Sequence, residues 1–301
     1  RNDNYWGEGP SFKTLVIRFI IEDSARMIAL ETGEIDLANG LQDADITRVL
    51  NGEVEGIHGY AVPGYKMWYL GFNDDFEPFQ HYEVRQAIAH AVDWEVAVET
   101  AAGRTGNIAT SSVASTVWGY QEQGIYEYDP ELSKQLLAEA GYPDGFDVTI
   151  IHEELPYIIR LVEVIQQELA EVGINVTIQV VDTATWSEIT MLGNADLSVG
   201  SMTANTGDPA HAYSQLVGSS ANITFSWDDE EFNRLCNEAL VELDETRRAE
   251  IYAEVQQYVY ETAGHIPMYE GVITYGAHDY IEGFIPDAGS VPEMWHCKIL
   301  G

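Results

Sequence analysis

The stretch from Phe146 to Pro209 constrains the fold most, because three hydrophobic periods follow one another within it. Phe146-Asp147-Val148-Thr149-Ile150-Ile151 is β-branched and alternates, as a strand does. Ile158, Leu161, Val162, Ile165, Leu169 and Val172 then recur at helical spacing, which places them on one face. Pro156 suits the first turn of that helix, and Gly173 suits the left-handed residue just past its end. Ile174, Val176, Ile178 and Val180 alternate again. Strand, helix and strand joined this closely form a βαβ unit with a right-handed crossover. A further strand, Asp196 to Met202, runs into the polar loop Thr203 to Pro209. In open α/β sheets ligands sit outside the carboxyl ends of strands, so this loop is the leading candidate for a binding site.

The flanking chain extends the α/β pattern. Leu15 to Ile21 reads as a strand buried on both faces. Asp23 or Ser24 caps a short helix with Ala25, Ile28 and Ala29 inward, ended by Gly33. Glu34 to Ala38 is a strand, Thr47 to Leu50 a weak helix and Met67 to Asn73 an aromatic strand. Val84, Ala87, Ile88, Ala91 and Val92 mark a helix, and Asp93 caps the next. Gly103 to Glu127 has no period; a loop that long, with Trp118, Tyr120 and Tyr126, points to function. Asp129-Pro130 opens a helix closed by Gly141, and Thr183 caps one carrying Trp186 and Ile189. Two strong helices follow. One buries Phe232, Leu235, Cys236, Ala239, Leu240 and Leu243 after a cap at Asp228 or Asp229. The other starts at Thr246, buries Ile251, Val255, Tyr258, Val259 and Thr262, and ends at Gly264. His265 to Tyr269 leads into a return strand, Val272 to Tyr275. Arg1 to Gly9 and the tail from Glu282 read as loop.

Charge excludes whole classes of partner. Fourteen Lys and Arg face 50 Asp and Glu, a formal charge of −36, so nucleic acid and anionic bilayers are repelled. The acids are spread along the chain and read as a solvated, self-repelling surface. No run approaches the ~20 apolar residues of a membrane helix. The two cysteines, Cys236 and Cys297, fit either a disulfide or two buried thiols. No G-x-S-x-G, H-E-x-x-H, phosphate loop or G-x-G-x-x-G is present, and the eight His have no metal-ligand spacing. The expectation is therefore no catalytic residue, no cofactor and no metal.

Several short stretches match one pattern in order. They are Arg1-Asn2-x-x-Tyr5-Trp6-Gly7, Asp23-x-Ala25-Arg26-x-x-Ala29-Leu30-x-x-Gly33-Glu34-Ile35-Asp36 and Phe72-Asn73. Pro78-Phe79, Val84-Arg85-Gln86-Ala87-Ile88-x-x-Ala91-Val92-Asp93 and Tyr128-Asp129-Pro130-Glu131 follow. Leu136-Leu137-Ala138-Glu139-Ala140-Gly141-Tyr142, Gly145-Phe146, Ile165-Gln166-x-x-Leu169 and Gly173-Ile174 complete it. In this the chain resembles the family-five extracellular solute-binding proteins, the oligopeptide, dipeptide and nickel receptors of ABC importers. The resemblance implies an α/β, type II periplasmic-binding-protein-like fold: one complete lobe and a partial second lobe, joined by a two-segment hinge and closing over a solute. On that reading residues 1–72 are partial lobe I, 73–267 the complete second lobe and 268–301 the return to lobe I, with the hinge at Phe72-Asn73 and Ile266 to Tyr269. Family members carry a long segment before the first motif, which implies that this chain is a C-terminal fragment.

The resemblance also assigns site residues. In the peptide receptors the loop ending in Asp/Glu-Pro carries an aspartate, three residues before that acid, that holds the peptide's amino terminus. Asn205 stands at that position, Asp208 at the acid and Met202 at a tryptophan three residues further upstream. The arginine that takes the ligand carboxylate in dipeptide receptors falls at His152. An amide cannot supply the charge-assisted bond an ammonium wants, and with His152 in place of the arginine both anchors are altered, against dipeptide specificity. Asp208 has a second reading, as the cap of the following turn. Trp118, Trp186 and Trp295 offer aromatic faces to a ligand. The implied partners are a small solute, with peptide as the family default, and ABC permease subunits, with no nucleic acid; the chain is expected to be a monomer. The implied place is extracellular or periplasmic, tethered to the membrane through a preceding segment. Oligosaccharide or a nickel complex are alternatives within the fold; an unrecognised α/β hydrolase or a sensory receptor domain are alternatives outside it.

Overall fold

The computed structural model describes residues 4, 6, 11–216, 229–292 and 294–300. The Asp228 cap and most of the Arg1 to Gly9 loop lie outside the described residues. The chain divides into two compact units, residues 1–64 with 271–301, and residues 65–270.

The first unit contains α1 (Asp23–Glu31), β1 (Leu37–Asn39), α2 (Asp43–Leu50) and the start of β2 (Ile57–Phe72). The end of β7 (His265–His278), with β8 (Ile281–Glu282) and β9 (Lys298–Ile299), completes it. β1 pairs antiparallel with β7, Ala38 opposite Gly276. Met27, Leu30, Leu41, Ile46, Val49 and Ile57 form its core. Gly276 keeps that core closed: a Cβ there would lie 2.6 Å from Leu30 Cδ2.

Three expectations fail in this unit. Leu15 to Ile21 is no strand, and Val16, Ile17, Phe19 and Ile21 are exposed. Extended apolar chain becomes a buried strand only when a neighbour takes its N–H and C=O groups, and no strand among the described residues pairs with it. In α1 it is Met27, Ala29 and Leu30 that turn inward, while Ile28 is exposed. Asp23 makes no cap bond; its carboxylate is held by Arg26.

The second unit holds α3 (Tyr82–Ala91), α4 (Trp94–Ala102), β3 (Gly106–Ile108), α5 (Pro130–Glu139), β4 (Asp147–Glu153) and α6 (Pro156–Glu171). β5 (Asn175–Val181), α7 (Thr183–Met191), β6 (Leu197–Thr203), α8 (Pro209–Tyr213), α9 (Glu230–Val241) and α10 (Glu245–Thr262) follow. The βαβ reading holds: β4 and β5 run parallel, with Asp147 opposite Asn175 and Glu153 opposite Val181. Ile158, Leu161, Val162, Ile165 and Leu169 are the buried face of α6 between them. Each such side chain contributes about 1.5–3 kcal/mol on leaving water. β6 lies parallel on β4's other side, and β2 returns antiparallel beside β6, Lys66 opposite Thr203 and Phe72 opposite Leu197. The strand order in this unit is β7-β2-β6-β4-β5, with β3 on β7.

Strand alternation gives the sheet two cores. Trp68, Leu70, Phe72, Val148, Ile150, Leu197 and Val199 join α3, α4 and α6. Met67, Tyr69 and Met202 turn the other way, into the core built with α9 and α10. Opposite Tyr69 stands Gly200, where a Cβ would lie 2.6 Å from the tyrosine Oη, so the strand carries glycine to admit the ring.

Several boundaries shift for local reasons. Asp182, one residue before Thr183, caps α7 by accepting from Ala184 and Thr185 N–H. Leu240 and Leu243 are exposed, because α9 meets α10 through Leu235, Cys236 and Ala239 and ends at Val241. The left-handed residue past α10 is Ala263, not Gly264, and Tyr252 and Gln256 rather than Tyr258 and Thr262 complete the buried face. Both cysteines are buried free thiols, so of the two readings the disulfide is not formed.

Candidate functional site

The parallel strands β4, β5 and β6 all end on one edge of the second unit, and the antiparallel β2 enters it there. The loop after β6 is fixed by its backbone. Ala204 N–H donates to Tyr65 C=O at 3.1 Å, Gly207 N–H to Ala204 C=O at 2.7 Å and Trp118 N–H to Gly207 C=O at 2.9 Å. Gly207 takes φ +69°, the left-handed region that favours glycine.

Asp208 serves the fold. Its Oδ1 accepts from Ala210 N–H, capping α8, and both oxygens accept from Arg248 of α10, at 2.7 and 2.8 Å. The guanidinium lies 5.1 Å from the Trp118 ring and 5.0 Å from the Tyr252 ring. Hydrogen bonding from Arg248 holds the Asp208 carboxyl below the usual carboxylate range. This bidentate, ring-flanked pair is rigid in a way an open surface pair is not. Asp208→Ala is expected to cost about 2–3 kcal/mol, through the lost cap and the stranded guanidinium, while Asp208→Asn keeps the cap and costs less. Urea midpoints of the two variants check the order.

Gln256 fastens the long loop from the other side. It is fully buried on α10, and its Oε1 accepts from Ser111 Oγ and Gln121 N–H, each at 2.8 Å. Its Nε2 donates to Gly119 C=O at 2.9 Å and Tyr252 C=O at 2.8 Å. Glu270 on β7 holds the same loop, accepting from Ser115 N–H at 2.6 Å and Ser115 Oγ at 2.7 Å. Burial raises the Glu270 carboxyl, and the two Ser115 bonds oppose that rise.

Against this frame the sequence candidates separate. Asn205 is exposed; its backbone N–H donates to His211 Nδ1 at 3.1 Å, and its side-chain amide makes no hydrogen bond among the described residues. Met202 is buried in the second core, and Trp118 is half-buried, edge-on to Tyr252 at 6.4 Å. Met202, Asn205, Asp208 and Trp118 therefore gather around one loop. His152 is fully buried at the end of β4, with Nδ1 2.8 Å from the Glu153 carbonyl and Nε2 without a partner among the described residues. Trp186 lies buried on α7, which packs on β4, and its Nε1 likewise has no partner there. Trp295 belongs to the first unit, half exposed beside His296.

Sequence reasoning missed a further cluster on this edge. Lys66 Nζ lies 4.2 Å from the Trp68 ring centroid. Tyr269 stacks on Trp68 at 6.0 Å and Tyr157 meets it edge-on at 5.6 Å. The available signal was a lysine, one of only four in the chain, two residues from a tryptophan on a strand. No group of three or more metal-ligating side chains occurs among the described residues, and no helix there is long and apolar enough to cross a membrane.

A mixed sheet carrying its loops at one parallel edge, with the chain passing twice between two units, is the architecture of the periplasmic binding proteins. HbpA2 from Haemophilus parasuis superposes with a TM-score of 0.88 at 25% identity, over 99% of this chain and 60% of that one. The periplasmic binding protein DppA from Helicobacter pylori, solved with the peptide STSA, gives 0.84 at 24% identity, over 100% and 60%. The chain belongs to the bacterial extracellular solute-binding proteins, family 5, whose middle-region model matches residues 1–224. Among curated relatives, heme-binding protein A of Haemophilus influenzae is 30% identical over 90% of this chain and 51% of its own length. The dipeptide-binding protein of Escherichia coli is 26% identical over 95% and 55%. The chain thus spans about half the length of the curated relatives it matches.

Proposed function

We propose that this chain is the ligand-holding part of a receptor that delivers a small, peptide-like solute to an ABC importer and leaves it chemically unchanged. The observation that carries the reading is the loop after β6. Backbone groups of Ala204, Asn205 and Gly207 and the Asp208 carboxylate are committed to the fold, whereas the exposed Asn205 side chain makes no hydrogen bond among the described residues. Family membership supports a solute receptor, and relatives bearing the names dipeptide-binding and glutathione-binding protein support the peptide class. In this reading the two units are the material of two lobes, and Met202 and Asp208 hold the loop that offers Asn205. Trp118 borders the ligand, while the buried Trp186 and His152 stay within the fold. Trp295 serves the other lobe. The protein works as a monomer outside the cytoplasmic membrane, tethered to it, and docks on permease subunits.

The test is calorimetry of the 301-residue chain with Ala-Phe, Ala-Phe-Ala, glutathione and maltotriose as probes. A peptide probe is expected to bind, and Asn205→Ala is expected to weaken it at least tenfold with the melting temperature unchanged. Binding of maltotriose alone, or unaltered peptide affinity in the variant, would overturn the reading.

A further inference from the structure

The cations of this acidic chain are mostly spoken for. Arg48, Lys134, Arg234, Arg247 and Arg248 each hold a carboxylate within ion-pair distance. Lys66 is different. It is half-buried on β2, opposite Thr203 at the carboxyl edge, and no carboxylate among the described residues lies in ion-pair range of its Nζ. Its ammonium instead lies over the face of Trp68, 4.2 Å from the ring centroid. Burial lowers its pKa, and Glu153, acting at longer range, opposes that. A desolvated ammonium without a counter-ion is costly to keep, and the ring quadrupole offsets only about 0.5–2 kcal/mol of that cost.

The surroundings are built, not incidental. Trp68 is 4% exposed, held by stacking on Tyr269 at 6.0 Å with an interplanar angle of 17° and by the edge of Tyr157 at 5.6 Å. Tyr269 is itself buried, and its hydroxyl has no hydrogen-bond partner among the described residues. Arg160, which acts on that hydroxyl electrostatically, donates from Nε to the Thr100 carbonyl and from Nη2 to the Ala101 carbonyl. The cluster thus offers one positive charge on a locked aromatic support in a chain of net charge −36. A multiply charged anion would meet the surrounding field; a singly charged one matches the single ammonium.

We propose that Lys66 forms a subsite for one carboxylate of a solute, the ammonium taking the carboxylate while the buried Trp68 ring beside it fixes the lysine side chain. This rests on the solute-receptor reading only for what the carboxylate belongs to; the subsite itself does not require a peptide. It assigns the negative end of the ligand to β2, so that neither His152 nor Arg160 has to supply the charge.

The chain has four lysines, so lysine labelled with 13C at Cε gives a spectrum in which Lys66 is identified by its loss in Lys66→Gln. Benzoate is the probe, with benzyl alcohol and phenyl phosphate at matched ionic strength as comparisons. Benzoate is expected to shift the Lys66 signal saturably, leave Lys134 and Lys298 in place and raise the Lys66 pKa. Benzyl alcohol should leave the signal unmoved, and phenyl phosphate should bind at least tenfold more weakly. By calorimetry, Lys66→Gln should lose at least tenfold in benzoate affinity. An unmoved Lys66 signal, an equal response to benzyl alcohol, or tighter binding of phenyl phosphate would overturn the proposal. The wild-type titration decides the matter even if the variant fails to fold. Absence of peptide binding would sink the receptor reading while leaving the benzoate result standing.

Discussion

Gly145→Ala should unfold the second unit well below the denaturant concentration that the parent chain tolerates, at a cost above about 4 kcal/mol. Gly145 sits in the turn between α5 and β4 at φ +72°, a conformation that costs an alanine about 1–2 kcal/mol by itself. The larger part is steric. A Cβ at this position would lie 2.0 Å from the carbonyl oxygen and 2.3 Å from the carbonyl carbon of Gly173. Gly173 follows α6 at φ +90°, so the turn entering β4 and the turn entering β5 are packed backbone to backbone. Asn175 N–H donates to Phe146 C=O at 2.9 Å just beyond, which fixes the spacing. Neither main chain can move without breaking the parallel register of β4 and β5. Gly141→Ala is the internal comparison. It too has positive φ, +95°, but open space where the Cβ would go, so about 1–2 kcal/mol is expected. Urea unfolding of both variants checks this; equal losses would show that conformation, not the contact, sets the requirement for glycine.

That contact also explains what was readable beforehand. Gly145-Phe146 and Gly173-Ile174 enter the sequence reading as short motif fragments, and the structure gives them a joint reason. The period changes around them were equally legible, because α6 buries one face and β5 alternates exposed with half-buried residues, so burial shows in the spacing. Reading failed where burial depends on a distant partner. Leu15 to Ile21 has the composition of an inner strand but lies exposed, and composition cannot say whether a neighbour is present. Leu240 and Leu243 continue an apolar pattern past the point where α10 crosses, and spacing does not reveal where a contact ends.

The candidate site was legible only in part. A loop after a parallel strand announces itself by topology, and the family resemblance then singled out Asn205 and Asp208 within it. The partner of Asp208 could not be named: Arg248 lies forty residues on, on a helix surface that reads as solvated. Gln256 stood in plain view at a core position of α10, but a lone glutamine in a helical period reads as an interruption until its four hydrogen bonds are seen. The same holds for Lys66, which has no carboxylate in ion-pair range among the described residues.

His265 should make the stability of the second unit fall as the solution is acidified from pH 6.5. The residue is fully buried at the start of β7, its ring 5.3 Å from that of Tyr69. Burial disfavours the imidazolium and pulls the pKa down to about 3, against 6.5 for the exposed group. The sign follows from which state takes the proton. Above pH 6.5 both states are neutral and the full stability is present. Below it the unfolded chain binds a proton that the folded chain refuses, so stability is lost at about 1.4 kcal/mol per pH unit until the folded pKa is reached. Between pH 6.5 and 5.0 the loss is therefore about 2 kcal/mol. Over that interval most of the 50 acids stay ionised in both states, but their self-repulsion makes a single curve hard to read. The difference between the parent chain and His265→Phe removes that common background. Urea unfolding at pH 7.5, 6.5, 5.5 and 5.0 should show the parent losing about 2 kcal/mol relative to the variant across the last three points. Parallel curves would mean that the buried imidazole carries its charge in the folded state after all.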